Sequence, residues 1–291
     1  MTVNVKNGFV KSQHQLPAQK LLNPVKILIL NLMPTKQTTE QQFINLLSQV
    51  HQDVEITFLY TKTHHFKTTD QDQVAKCYCS LQQIYDNYYD GLIITGAPVE
   101  QIDFSAVDYW DEFLAIKDWA TTHVGQTVNE CWAAQAALYT DFAIPKVVLK
   151  HKLFGIYQAS WIDSNCQLSF KLPRFTNPQS RHSQSVINRS ALPSGLSIVA
   201  DNLFTGPLVL HSGTKRQTYF TGHPEYDADT LDLEYHRDLV KNEGVAAPAN
   251  YYNREHQVEN TWQASSIQLY QNWIDLIESE ELNYDKKQIA L

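Results

Sequence analysis

The sequence predicts an α/β protein built on a doubly wound, mostly parallel sheet with antiparallel additions in its second half. Short β-branched runs alternate with helical patterns in the first half. Those runs are almost uninterruptedly apolar, as strands covered on both faces must be. Beyond Lys152 the runs shorten and turn signals multiply, which suggests hairpins added to the same sheet.

The predicted strands are Val25–Leu30 (VKILIL), Val54–Tyr60 (VEITFLY), Gly91–Thr95 (GLIIT) and Gln126–Asn129 (QTVN). Between them, Phe43, Leu46, Leu47 and Val50 recur at helical spacing, and Trp110, Phe113 and Leu114 open a second such stripe. From Lys152 to Phe220, turns are expected at Asn177-Pro178, Pro193-Ser194-Gly195 and Ser212-Gly213. A last helix is expected to start near Thr261 as N-cap, with Ile267, Tyr270, Ile274 and Ile277 on one face. No internal repeat or low-complexity stretch is seen. Residues 1–20 read as an N-terminal extension and 21–291 as one catalytic domain. In such a sheet the ligand site is expected outside the carboxyl ends of the strands.

Composition narrows the function. With 291 residues, 43% of them hydrophobic, the chain can bury a large core, and disorder is excluded. A net charge of −8 without a basic stripe argues against nucleic acid as partner. No run is long enough for a membrane span, and the polar N-terminus lacks a signal-peptide core, so a cytoplasmic location is expected. Cys77, Cys79, Cys131 and Cys166 are then expected to be thiols. The Cys77–Cys79 pair lacks a second pair at zinc spacing, and no metal is expected.

The segment VNECWAAQA (128–136) runs a strand into Cys131 and a helix-favouring stretch directly out of it. This is the layout of a nucleophile elbow, in which a tight strand–turn–helix lifts the reactive side chain above the sheet. A helix N-terminus behind the sulfur favours thiolate, the reactive form. The alternative is a buried structural cysteine, and a base decides between them. TGHPE (221–225) follows a strand, and in an extended chain His223 and Glu225 point to the same side. The carboxylate can orient the imidazole, and the imidazole can take a proton from Cys131.

The motifs KILILNLMP (26–34), DGLIITGAP (90–98), ECWAAQAALY (130–139), KLFG (152–155), SRH (180–182), TGHPEYD (221–227) and EYHRD (234–238) resemble the homoserine O-acyltransferase family, from about Leu21 to the final helix. The resemblance implies a flavodoxin-like fold of the class I glutamine amidotransferase type. It implies Cys131 as the acyl-accepting nucleophile, His223 as general base and Glu225 as its orienting carboxylate. Lys152, Ser180 and Arg237 are implied as acceptor-binding residues; a guanidinium suits a carboxylate because its planar fork engages both oxygens. Lys36, just past the first strand, and the backbone N–H of Trp132 are expected to support the oxyanion. Acyl transfer of this kind requires no cofactor beyond acetyl-CoA as co-substrate. The implied partners are therefore acetyl-CoA and a hydroxy amino acid, with a homodimer suggested by the resemblance alone.

Glu100 follows the third strand at the position that, in the family, separates acyl donors: a carboxylate accompanies acetyl and a glycine succinyl. A succinyl tail ends in negative charge that Glu100 would repel, so acetyl-CoA is the expected donor and succinyl-CoA the alternative. Three positions depart from the family pattern. Gln179 stands for the usual His before Ser180, Ala133 for Gly in the elbow, and Glu130 is unusually polar before the nucleophile. Gln179 leaves L-serine, one methylene shorter, as a second acceptor beside L-homoserine. A glutamine amidotransferase-like thiol hydrolase and a non-catalytic binding module are the remaining readings.

Overall fold

The computed structural model describes residues 2–14, 21–66, 69–161, 163, 165–241 and 244–289. In chain order the strands are β1 (Val3–Val5), β2 (Val25–Leu30), β3 (Val54–Leu59), β4 (Tyr89–Ile94), β5 (Val124–Glu130), β6 (Lys146–Trp161), β7 (Phe175–Ser185), β8 (Ser197–Asn202), β9 (Gly206–Ser212) and β10 (Gln217–Phe220). The helices are α1 (Phe9–His14), α2 (Lys36–Leu47), α3 (Gln71–Cys77), α4 (Trp110–His123), α5 (Trp132–Phe142), α6 (Thr230–Val240) and α7 (Gln263–Ile289). Among the described residues no helix is long and apolar enough to cross a membrane.

The strands form one sheet in the order β1-β3-β2-β4-β5-β10-β9-β8-β6-β7. From β1 to β10 the neighbours are parallel. From β10 to β7 they are antiparallel. The mixed sheet is therefore the one the sequence predicts. Residues 3–5 supply its edge strand, with Val3 and Val5 opposite Val54 and Ile56.

Period-two alternation explains the two layers. On β2, Ile27 and Ile29 join the cluster that contains Phe43 and Leu46 of α2 and Tyr270 and Trp273 of α7. Leu28 and Leu30 join the opposite cluster, with Phe113 and Ile116 of α4 and Ala133 and Ala136 of α5. The predicted face of the last helix is right: Tyr270, Ile274 and Ile277 are buried and Ile267 packs against them.

Four expectations need correction. Leu114 is exposed on α4, and Ile116 and Trp119 continue the buried stripe instead. The helix expected from Thr261 starts at Gln263, whose N–H is accepted by the Asn260 side chain. The delay accommodates Trp262, which is fully buried and donates its indole N–H to the Tyr226 carbonyl. Asn177-Pro178 is not a turn but lies inside β7, paired with Tyr157 and Ile156. Proline is tolerated there because β7 is the outermost strand and has a free side. Finally, β6 spans 16 residues and β7 spans 11, longer than the short runs expected; their polar residues broke the apolar pattern.

Candidate active site

The central strands β4, β5 and β10 are sheet neighbours, and the residues just past their carboxyl ends meet. Cys131 lies between β5 and α5 with φ +50° and ψ −112°, outside the usual range for a residue with a side chain. Its N–H donates to the Phe220 carbonyl at 2.8 Å and its carbonyl accepts from Gln135 at 3.2 Å, so the strained turn is held from both sides. Trp132, Ala133 and Ala134 follow, all fully buried, and the short side chains let α5 pack directly against the sheet. The elbow inferred from the sequence is present.

Gly96, past β4, shows how closely the groups converge. A Cβ there would lie 2.9 Å from His223 Cε1 and 3.2 Å from Cys131 Cβ. Any side chain at 96 would wedge the sulfur and the imidazole apart. The Cys131 thiol is in hydrogen-bonding reach of the His223 ring. On the far side of the ring, His223 Nδ1 is 2.8 Å from Glu225 Oε1. The two side chains meet, but not through the extended chain expected: residues 224–225 form a turn, with the Tyr226 N–H donating to the His223 carbonyl at 3.3 Å.

The backbone holding His223 is fixed by β7. The His223 N–H donates to the Pro178 carbonyl at 2.9 Å and to Asn177 Oδ1 at 3.1 Å. Tyr226 stacks on the imidazole, with ring centroids 4.2 Å apart. Burial works against a charged imidazole. The Cys131 sulfur, Glu234 and Glu130 outweigh it, so the His223 pKa sits above the ordinary histidine value. Burial also pushes the Glu225 carboxyl up to about 8, against the lowering effect of its hydrogen bonds.

The three predicted acceptor-binding residues are gathered by two carboxylates of α6. Lys152 Nζ lies 2.7 Å from Asp238 and 3.4 Å from Glu234. The Ser180 hydroxyl donates to Glu234 Oε2, and the Tyr226 hydroxyl donates to Glu234 Oε1 at 2.7 Å. Arg237 is paired with Asp238 at 2.7 Å. This cluster adjoins the elbow, because the Ser180 carbonyl is 4.0 Å from Cys131 Sγ. Glu234 is the hub, a role the EYHRD string did not reveal.

The other predicted residues are placed differently. Trp132 is fully buried, its ring among Phe104, Tyr109 and Phe113. Lys36 opens α2, but its ammonium donates to the Asn31 carbonyl at 2.5 Å and lies over the Phe66 ring. Burial lowers its pKa to about 7, against a raising influence from Glu40. Glu100 lies on the loop after β4. Lys146 holds that loop, donating to the carbonyls of Glu100 at 2.7 Å and Ile102 at 2.6 Å. Gln179 is fully buried, donating to Asn177 Oδ1 and accepting from Arg181 Nε. Arg181 is part of the SRH motif but carries no role from the sequence. Among the described residues its buried guanidinium bonds neutral oxygens, those of Gln179, Ser183 and Thr205. Desolvation lowers its pKa to about 10, and Cys131 raises it.

The sheet gives the chain an α/β fold like that of glutamine amidotransferases. A glutamine amidotransferase from Thermotoga maritima superimposes with a TM-score of 0.58 at 11% identity, over 88% of this chain and 99% of that one. A glutamine amidotransferase from Methylobacillus flagellatus gives 0.54 at 14%, over 88% and 95%. Within that fold class the chain belongs to the homoserine O-acyltransferase family, whose sequence profile, described as homoserine O-succinyltransferase, matches residues 2–284. Two relatives named homoserine O-acetyltransferase support the assignment. The one from Streptococcus mutans is 40% identical over 90% of this chain and 85% of its own. The one from Streptococcus thermophilus is 37% identical over 96% and 90%.

Proposed function

We propose that the protein transfers the acetyl group of acetyl-CoA to the hydroxyl of L-homoserine through an acyl-Cys131 intermediate. The observation that carries this reading is the convergence, at adjacent strand ends, of a strained cysteine, an imidazole and a carboxylate beside the Lys152–Ser180–Glu234 cluster.

The Cys131 sulfur gives its proton to His223 and attacks the thioester carbonyl. The tetrahedral carbon collapses, the C–S bond to CoA breaks, and CoA takes the proton from His223. His223, neutral again, removes the proton of the acceptor hydroxyl, whose oxygen attacks the acyl-cysteine. The O-acyl amino acid leaves and the thiol is restored. The imidazole accepts and returns one proton in each half-reaction, and Glu225 keeps its Nδ1 side oriented. Ser180 and Glu234 are suited to the acceptor's hydroxyl and ammonium, and Arg237 to its carboxylate.

Support for acetyl as donor comes from Glu100 and from the names of the relatives. The test is a two-by-two comparison of kcat/KM for L-homoserine and L-serine with acetyl-CoA and succinyl-CoA. Acetyl-CoA with homoserine is expected to lead. Equal or faster turnover with succinyl-CoA overturns the donor assignment, and a preference for serine overturns the acceptor. Glu100→Gly is expected to raise the succinyl-to-acetyl ratio by about tenfold or more, since a like charge is removed from a partly desolvated place. A ratio unchanged in that variant would show Glu100 to be a bystander.

A second variant probes the acceptor cluster. Glu234→Gln is expected to raise KM for the amino acid far more than KM for the acyl donor, because an amide cannot pair with an ammonium. Equal changes in both constants would remove Glu234 from acceptor recognition.

A further inference from the structure

Behind the imidazole lies a second buried acid that the reaction as written does not use. Glu130 is the last residue of β5, directly before the nucleophile, and it is fully buried. The Tyr270 hydroxyl, on α7, donates to its Oε1. Among the described residues its Oε2 has no donor, and neither has Glu225 Oε2, both being sealed from solvent. These two orphaned oxygens belong to side chains in hydrogen-bonding contact with each other.

Two carboxylates can hydrogen-bond only if one of them carries a proton, and two like charges this close in a dry interior cannot both persist. Which one is protonated follows from their partners. Glu225 already faces the Nδ1–H of His223, a donor that favours the ionised acid. Glu130 faces a neutral phenol, and Phe43 and Phe220 flank that phenol ring edge-on. The proton therefore belongs on Glu130.

We propose that Glu130 is a positioning residue for the acyl-transfer step, a neutral acid that donates its proton to Glu225 and engages the oxygen His223 leaves free. The chain of bonds then runs from Tyr270 through Glu130 and Glu225 to His223. Each buried oxygen then donates or accepts a bond, and a single negative charge faces the imidazole. This inference rests on His223 being the base of the proposed transfer. Burial holds Glu130 well above the usual carboxylate range; the bond between the two acids raises Glu130 further and lowers Glu225 against its own burial, which is the split the shared proton requires.

The test uses the full chain and three variants. Infrared difference spectra with carbon-13 glutamate should show a neutral carboxyl stretch at pH 7 that disappears in Glu130→Gln. Glutamine can still donate to Glu225 and accept from Tyr270, so it should keep kcat within about threefold, whereas Glu130→Leu should lose about 30-fold or more with KM values nearly unchanged. Tyr270→Phe should retain the neutral band.

A pH series adds a readout that simple packing would not move. Folded Glu130 holds a proton that an unfolded glutamate releases near pH 4.5, so it stabilises the fold at low pH and this contribution fades as pH rises from there towards its own raised pKa. The Tm of Glu130→Gln relative to the parent should therefore climb across that window. The other titratable groups facing the pair are His223, Tyr226, Asp227, Glu234 and Tyr270, with Cys131 behind the imidazole.

Absence of the neutral band, or full kcat in Glu130→Leu, overturns the proposal. If the leucine variant does not fold, the band and the pH series of the glutamine variant decide. Neither needs turnover. A protein that shows the band but forms no acetyl adduct on Cys131 would refute the acyl-transfer mechanism and leave the shared proton standing.

Discussion

Cys131→Ala is expected to abolish acyl transfer, with kcat falling by ~10⁴-fold or more, as when a covalent nucleophile is removed elsewhere. The substitution leaves folding almost untouched. The thiol is small, and the strained turn is fixed by main-chain bonds to Phe220 and Gln135 that alanine retains. The parent mixed with acetyl-CoA alone should gain the mass of one acetyl group, mapped by peptide digestion to Cys131, and should release CoA in a burst. The alanine variant should do neither. No adduct on the parent, together with full turnover in the variant, would eliminate the acyl-cysteine intermediate.

The second large effect falls on a residue without a side chain. Gly222 sits between the end of β10 and His223, pressed against β7. A Cβ at this position would lie 1.9 Å from Asn177 Oδ1, 2.1 Å from Gln179 Nε2 and 2.3 Å from the Pro178 carbonyl. Two of these atoms accept the His223 N–H, so the clash cannot be relieved without moving the base. Gly222→Ala is therefore expected to cost ~3 kcal/mol or more of stability, at the upper end of overpacking effects. The surviving folded fraction should have a much reduced kcat. Urea unfolding and single-turnover acylation together check this. A variant of normal stability and normal acylation rate would show that β7 does not position the imidazole.

The parts of the sequence that could be read were those governed by local periodicity. The strands VKILIL and VEITFLY, the stripe on α7 and the elbow at Cys131 each follow from spacing within a few residues. Local chemistry misled at Asn177-Pro178, because a proline that usually breaks strands is harmless on an outer one. Reading stopped where a role depends on tertiary neighbours. Glu234 is one carboxylate in a helix until β7 brings Ser180 and β6 brings Lys152 to it. Glu130 looked only out of place; its meaning requires Glu225 from the turn after β10 and Tyr270 from the last helix. The wrong start of α7 has the same origin, since burying Trp262 overrode a good capping residue.

The placement of β10 between β5 and β9 bears on how the chain acquires competence. The sulfur ends one strand and the imidazole follows its parallel partner, whose register sets Phe220 opposite Glu130. All of β6 to β9 intervenes in the sequence, so this pairing closes a long loop and is entropically slow. The first half of the sheet has no such obstacle. On the proposed mechanism, a chain whose first half has collapsed still lacks the imidazole, so activation of the thiol waits on the pairing of β10 with β5.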